Sequence, residues 1–470
     1  MSALGKLSGR RVLFLNWRDL SNPDAGGAEA YAEQIAHRFG YAGVRVTLFT
    51  SEYPDAAPFD WAQEYLVARE GGRLGVYLAA GRHLRRYGRR YDAIVDCQNG
   101  IPFFAPFWAP EGTAVVCIVH HVHQQQFNMY YRWPANWVGR MLEGRVTRRV
   151  YRDVPFVAVS PSTRAEMRHQ LGLRGPIHIV PNGVESPPRG ERERSATPSI
   201  AVVTRLVPHK RLHLLVEAVP ALLRSWPGLR VDIAGTGPAR ARLLAQVRGL
   251  GLERVVHLPG RVTEQGKYDL LSHAWLTVAP SLAEGWGLTV LEANALGTPA
   301  VAYDVPGLRD SVCDGQTGWL VPAGRGLETA LANALDSVAD PAAQRAIAGQ
   351  CQRWAGRFSW DASAERLARV LVSEVTRRSM GSSSRRQAID LATVASWPPG
   401  AADAAAGRLR QTLRVTDAFS CDQDGLRILL TGCDELGAAT ALRRAEAPQA
   451  RLRLATSRQV LCGTGEDELG

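Results

Sequence analysis

The sequence predicts an α/β protein built from two doubly wound parallel sheets, each in its own domain, with a small C-terminal extension. Three observations carry that prediction. Short apolar runs suited to buried parallel strands alternate with helical stretches along both halves of the chain. A polar segment from Pro187 to Pro198, charged and without core periodicity, separates the halves. The length, 470 residues, exceeds what one hydrophobic core usually organises. The expected divisions are residues 1–186, residues 187–378, a linker at 379–398 and a tail at 399–470.

Composition supports a folded, globular chain: 46% hydrophobic residues and 21% charged. Lys and Arg outnumber Asp and Glu by 56 to 45, giving +11 and a pI near 9.6. Much of the excess is Arg in short clusters, which suits phosphorylated ligands or an anionic membrane face at least as well as nucleic acid; a nucleic-acid partner is not expected. Seven scattered cysteines without a Cys-x-x-Cys pair argue against a disulfide framework or zinc knuckle and for a reducing cytosol. Met1 to Arg11 lacks an apolar signal region, and no run approaches the ~20 apolar residues of a membrane span. Any membrane contact is therefore expected to be peripheral.

In the first half, Arg11-Val-Leu-Phe-Leu15 reads as a buried strand, and the loop after it ends in Gly26-Gly27 before a helical pattern through Tyr31, Ile35, Ala36 and Phe39. Glycines at such a turn bring backbone N–H groups to a phosphate. Val44–Phe49, Asp92–Asp96, Ala114–Val119 and Phe156–Ser160 supply further strands. Between them, Gly81–Tyr91 is strongly basic, either a solvated helix face or a surface for anionic headgroups. Ile101–Trp108 is unusually aromatic, either core filling or an apolar wall for a lipid-like molecule. His120, His121 and His123 follow the fourth strand with no Cys or carboxylate nearby to complete a metal ligand set. Arg145–Arg152 forms a second basic stretch.

The second half opens with the strand Ser199–Thr204, after which Arg205 and Lys210 bracket a turn, a placement suited to neutralising a diphosphate. Val231–Ala234 leads into Gly235-Thr-Gly237; the third glycine and downstream acid of a nicotinamide fingerprint are missing. Trp275–Ala279 and Ala300–Ala302 flank a loop and a helix in which Leu288, Leu291, Ala295 and Leu296 recur at helical spacing before Gly297. Gly285 and Gly287 would let backbone approach a ligand, and the helix start behind them favours an anion. Glu284 in the loop and Glu292 in the helix can then meet different parts of one ligand.

This Glu-x7-Glu arrangement, set in Glu284-Gly-Trp-Gly-Leu288 and Ala295-Leu-Gly-Thr-Pro299, resembles the retaining glycosyltransferases of family 4, which have the GT-B fold. So do Ile177–Val184, Pro259-Gly-Arg261, Gly315–Pro322 and Phe358-Ser-Trp360, and together the matches cover roughly residues 10–375. The resemblance implies two Rossmann-like domains facing a cleft, the last helix packing back on the first domain. It implies a nucleotide-diphosphate sugar held by the second domain, an acceptor (glycan, lipid-linked or small molecule) on the first, and transfer with retention, with neither cofactor nor metal. By the same resemblance Arg205 and Lys210 stabilise the departing diphosphate, Glu284 orients the donor sugar, and His120 meets that sugar from the other domain. A one-residue shift would select His121. Gly26, Gly27, Gly285, Trp286, Gly287, Leu288 and Glu292 complete the donor set, Glu292 at the ribose. Arg211 stands where the family often has Gly. The expected setting is cytoplasmic, peripheral on the inner membrane face, in cell-envelope polysaccharide biosynthesis. The competing reading is a non-catalytic GT-B-like nucleotide-binding or regulatory module, against which the intact Arg205, Lys210, Glu284 and Glu292 speak. The tail faintly resembles the end of a diguanylate cyclase domain, with Asp422-Gln-Asp-Gly425 where the signature Gly-Gly-Asp-Glu-Phe is absent, so cyclase activity is not expected.

Overall fold

The structure, a computed structural model, describes residues 2–62, 64–185, 187, 193–379, 392–398, 409, 418–422, 425–431, 438–439, 442–443 and 450–455. The first sheet contains β1 (Arg11–Leu15), β2 (Arg45–Thr50), β3 (Phe59–Ala62), β4 (Tyr65–Arg69), β5 (Ala93–Gln98), β6 (Ala114–Val119), β7 (Phe156–Ala158) and β8 (Ile177–Ile179). Their order is β3-β4-β2-β1-β5-β6-β7-β8, parallel apart from the antiparallel edge strand β3. In β1, Val12 and Phe14 enter one core layer while Leu13 and Leu15 enter the other. Covering on both faces is why these strands read as continuous apolar runs rather than alternating ones.

The second domain holds β9 (Ser199–Val203), β10 (Arg230–Ala234), β11 (Val256–Gly260), β12 (Thr277–Ala279), β13 (Ala300–Tyr303) and β14 (Gly318–Val321). Two parallel ladders, β11-β10-β9 and β12-β13-β14, are joined by a parallel bridge between Ile200 and Leu276 and by Ala201 N donating to Leu276 O at 3.0 Å. The resulting order, third-second-first-fourth-fifth-sixth, is that of a doubly wound nucleotide-binding sheet, with its reversal between β9 and β12. Ligands in such sheets bind outside the carboxyl ends of the strands at that reversal.

The last helix, Trp360–Ser379, buries Ala364, Leu367, Ala368 and Leu371 in the core that contains Val12, Phe14 and Tyr31. Residues 360–378, placed by sequence within the second domain's span, thus complete the first. The chain crosses between domains at two adjacent places, where Val184 bridges Ser359 and Val184 N donates to Phe358 O at 2.8 Å. Any Cβ on Gly183 would lie 2.2 Å from Trp360 N, so only glycine fits that crossing.

Of the two readings left open for the first half, the structure decides the aromatic one. Phe103 is buried, Phe104 and Trp108 pack on the same core, and only Phe107 points outward. Ile101–Trp108 is therefore core filling with one exposed ring. The basic stretch forms the end of helix Val76–Tyr87, its arginines exposed and Arg85 lying 4.5 Å above the Trp108 ring. Cys97, Cys117, Cys313 and Cys351 are free thiols.

The C-terminal unit begins at Gly381 and contains an antiparallel sheet of β15 (Ala392–Trp397), β16 (Ala418–Asp422), β17 (Gly425–Thr431) and β18 (Arg451–Ala455), in the order β16-β17-β15-β18. This corrects the linker expectation: residues 392–397 form a central strand, with Ala395 and Trp397 buried beside Leu426, Ile428 and Leu430. Small Ala and Ser side chains masked the alternation of Thr393, Ala395 and Trp397. Asp422 pairs with Gly425 across a hairpin; Gln423 and Asp424 lie outside the described residues, as do most of the expected linker residues 379–391.

Candidate active site

A cleft of about 980 Å³ lies between the two doubly wound domains. Its floor is formed where the loops after β1 and β6 meet those after β9 and β12. On the first-domain side, Gly26 caps helix Gly27–Tyr41 and donates its N–H to Glu29 Oε2 at 2.8 Å. A Cβ on Gly27 would meet nothing within 4 Å, whereas one on Gly26 would come within 3.3 Å of the Arg205 guanidinium. Two cations of the second domain grip this loop: Arg205 Nη1 donates to Asp24 O at 3.4 Å and Arg261 Nη2 to Pro23 O at 2.7 Å.

After β6, His120 and His121 both line the cleft. Their Nε2 atoms are buried and unpartnered, an expensive state for groups that normally bond something. The His120 ring stands edge-on to Tyr31 at 5.1 Å, while His121 stacks on His123 at 4.2 Å. Burial, then the neighbouring His123, pushes the His120 imidazole down to about 3 and holds His121 well below its ordinary value. Both are neutral near pH 7 and can bond a hydroxyl. The structure places both histidines at the cleft, so the choice between them stays a matter for substitution.

On the second-domain side, the turn Pro208–Lys210 ends in Arg211 at φ 53°, ψ 33°. Left-handed backbone costs a non-glycine residue roughly 1–2 kcal/mol, which accounts for the Gly of the resembling pattern. Lys210 Nζ forms an ion pair with Glu284 Oε1, and Ser281 Oγ donates to the same oxygen at 2.7 Å. Burial raises the Glu284 carboxyl, but Lys210 and Ser281 more than offset it, leaving Glu284 below its ordinary value and ionised.

Gly285 has a different reason from the one the sequence suggested. A Cβ there would lie 2.2 Å from the His120 carbonyl oxygen, so the glycine permits contact between the domains. Gly287, at φ 81°, caps helix Leu288–Ala295, whose first turn lines the cleft. Trp286 lines the cleft too, but its ring is buried in the core of the first domain, 5.1 Å from Phe358, with Leu288 packed nearby. It acts as a wedge between domains as much as a wall.

Glu292 accepts from Lys267 Nζ at 2.8 Å, and Lys267 also pairs with Glu264 at 2.8 Å. Burial raises the Glu292 carboxyl against the lowering effect of Lys267; Lys267 is desolvated, yet the two carboxylates raise it overall. Sequence reasoning missed Lys267 and His209, and quoted Arg261 within Pro259-Gly-Arg261 without giving it a place in the site. The first has a visible signal only as an i,i+3 partner of Glu264; its meeting with Glu292, 25 residues on, exists only in the folded sheet. His209 accepts or donates at Nδ1 to Tyr130 Oη at 2.7 Å, a bond across the cleft, and burial beside Lys210 lowers it to about 4.

Two facing parallel sheets with glycine-opened helix starts and the half-buried Lys210–Glu284 pair at the cleft between them define a GT-B architecture; the Lys267–Glu292 pair joins two helices behind it, with Lys267 but not Glu292 lining the cleft. Residues 25–186 match the family model Glycosyltransferase Family 4 and residues 187–348 that of Glycosyl transferases group 1. The chain belongs to this glycosyltransferase family.

A D-inositol 3-phosphate glycosyltransferase from Kineococcus radiotolerans is 32% identical over 403 residues, covering 73% of this chain and 89% of that protein. A glycogen synthase from Mycobacterium tuberculosis (strain CDC 1551 / Oshkosh) is 30% identical over 265 residues, 55% of this chain; the match spans 63% of that protein's length. Among solved structures, sucrose-phosphate synthase from Thermosynechococcus elongatus superposes with a TM-score of 0.64 at 19% identity, covering 77% of this chain and 98% of that one. Anabaena Alr3699/HepE in complex with UDP-glucose gives 0.60 at 19% identity, covering 77% and 100%. These two likenesses speak to the fold.

Proposed function

We propose that this chain transfers a glycosyl unit from a nucleotide-diphosphate sugar to an acceptor hydroxyl, with retention of anomeric configuration. The observation that carries the reading is the Lys210–Glu284 ion pair beside the start of helix Leu288–Ala295, with Arg205 at the same cleft. Lys210, Arg205 and the amides of that helix turn are oriented before the donor arrives, so they stabilise the departing diphosphate without reorganising. Glu284 then accepts from donor-sugar hydroxyls and Glu292 from the ribose diol. His120 or His121 meets the sugar from the first domain through a neutral imidazole. Since these cations fill the part a divalent ion plays elsewhere, the reaction runs without metal or cofactor.

The relatives named above suit a sugar, polyol or glycan acceptor. The arginines of helix Val76–Tyr87 suit peripheral residence on an anionic, cytoplasmic membrane face and an envelope-type product. Among the described residues no helix is long and apolar enough to cross a membrane. The deciding experiment offers UDP-, GDP- and ADP-sugars and follows nucleotide release and the anomer formed, with and without EDTA. Release that persists in EDTA supports the reading. Nucleotide binding without release from any sugar would favour a regulatory module instead, and an inverted product would refute retention.

A further inference from the structure

Helices Gln124–Tyr130 and Ala135–Met141 form a hairpin at the rim of the cleft. Its inner side is well built: Phe127 packs so closely on Gly139 that a Cβ there would lie 2.5 Å from the ring. Asn136 Nδ2 donates to Asn128 Oδ1 at 3.3 Å, and Gln124 Nε2 to the Arg140 carbonyl at 3.2 Å. The buried Glu143 carboxylate holds the base by accepting from His123 N at 2.6 Å and Gln124 Nε2 at 2.7 Å.

Its outer side is the reverse of what a solvated hairpin needs. Of fourteen exposed large hydrophobic residues among those described, six lie between Met129 and Val138; Met129 and Tyr130 turn toward His209, which leaves Tyr131, Trp133, Trp137 and Val138, with Trp133 80% and Trp137 55% exposed. Because the inner face is already filled, this exposure is not a failure to pack. Clustered aromatics of that kind mark a contact surface.

The charge around them identifies the occupant. Arg132 and Arg140 stand among the aromatics, both exposed, and Arg145, Arg148, Arg149 and Arg152, also exposed, follow as the chain runs back toward β7. Of the acidic residues nearby, Glu143 is turned inward and Asp153 offsets only Arg152, at 3.5 Å. Trp and Tyr flanked by Arg is the chemistry of a lipid interface, with rings at headgroup depth and guanidinium groups on phosphates. A symmetric dimer through this face would press like charges together.

We infer that the Gln124–Met141 hairpin docks on an anionic lipid bilayer and presents the cleft to a lipid-borne acceptor. The second part rests on the transferase reading. It follows from position: His123 and Gln126 line the cleft, and Tyr130 bonds His209 across it, so a docked hairpin sets the cleft mouth at the headgroups. The docking element is thus this hairpin, and the Val76–Tyr87 arginines contribute only long-range attraction.

The test is co-sedimentation of the full chain with vesicles of equal parts phosphatidylglycerol and phosphatidylcholine, and with phosphatidylcholine alone. Three proteins are compared: wild type, Trp133→Ser/Trp137→Ser, and a variant with Arg85, Arg86, Arg89 and Arg90 changed to Glu. Wild type should partition onto anionic vesicles with a blue-shifted tryptophan emission. The tryptophan variant should lose about tenfold or more in partitioning while its nucleotide release and melting temperature stay unchanged. The arginine variant should keep the blue shift. Equal partitioning of wild type and tryptophan variant would overturn the inference, as would a wild type left in the supernatant. So would a wild-type dimer that the tryptophan changes dissolve. Bilayer binding without nucleotide release from any sugar would refute the transferase reading and leave the docking element standing.

Discussion

Lys210 and Glu284 sit in loops at strand ends, a position from which substitution is expected to leave the fold untouched. The pair changes that expectation. With side chains 16% and 18% exposed, removing one partner leaves the other charge largely desolvated, at a cost of about 3–5 kcal/mol in buried pairs. Lys210→Met should therefore lower both turnover, by about 10²- to 10³-fold, and stability in urea. Adding Glu284→Gln should restore stability but not turnover; additive losses in the double variant would show that the pair is not coupled. Lys267 supports Glu292 in a second such pair. Burial already raises the Glu292 carboxyl, and without the Lys267 ammonium it rises further, so a growing share is protonated as pH falls and, in the proposed role, no longer accepts from the ribose diol. For Lys267→Met, kcat/KM for the donor should fall more steeply than in wild type as pH is lowered, with recovery in Lys267→Arg. An unchanged pH profile would count against this support.

Among elements, the one with least tolerance is the turn between β12 and helix Leu288–Ala295, because it both lines the cleft and meets the facing domain. Gly285→Ala places a methyl group 2.2 Å from His120 O, which neither backbone can yield without opening the domains. Donor turnover should fall at least as far as in Lys210→Met while each domain keeps its secondary structure, seen as unchanged circular dichroism with faster proteolysis at the crossing. Normal turnover would mean that the contact is dispensable. This turn also shows how much could be read in advance. Its strand, glycines, helix and two carboxylates are local, and the sequence displays them; β1 and the Gly26-Gly27 helix start were legible for the same reason. The partner of Gly285 is 165 residues away and the partner of Glu292 is on another helix. Such pairings arise only from the order of strands in the sheets, which periodicity does not encode. Trp286 shows the converse, a residue in a binding motif whose ring is spent on packing. The strand at Ala392–Trp397 was missed because Ala and Ser give alternation little contrast.

At the scale of the molecule, acid should act on the contact between domains. His120, His121 and His209 are all held neutral there, their values pushed below the ordinary one near 6.5 by burial. A group depressed on folding contributes stability that is present above its unfolded value and lost as pH falls through the folded one. The window therefore runs from about 6.5 down to the folded values of about 4 for His209 and about 3 for His120. At pH 5 the buried His120 alone should cost on the order of 1–2 kcal/mol, read as a falling melting temperature that His120→Gln makes shallower. The C-terminal unit, by contrast, stands outside this argument. Cutting after Met380 preserves helix Trp360–Ser379 and with it both cores, so nucleotide release should be retained; its loss would assign the tail to the working enzyme.

The paired crossings at Val184 and Ser359 govern how the halves move. A single connecting strand is a tether, about which one body may swing, twist or slide. Two strands bonded side by side, pinned where Gly183 meets Trp360, behave like a door hung on two knuckles. Swing about the line through them is cheap, whereas twist and slide would tear both crossings apart. Any relative motion of the halves is thereby confined to one coordinate, at one end of which Gly285 meets the His120 carbonyl as it does here.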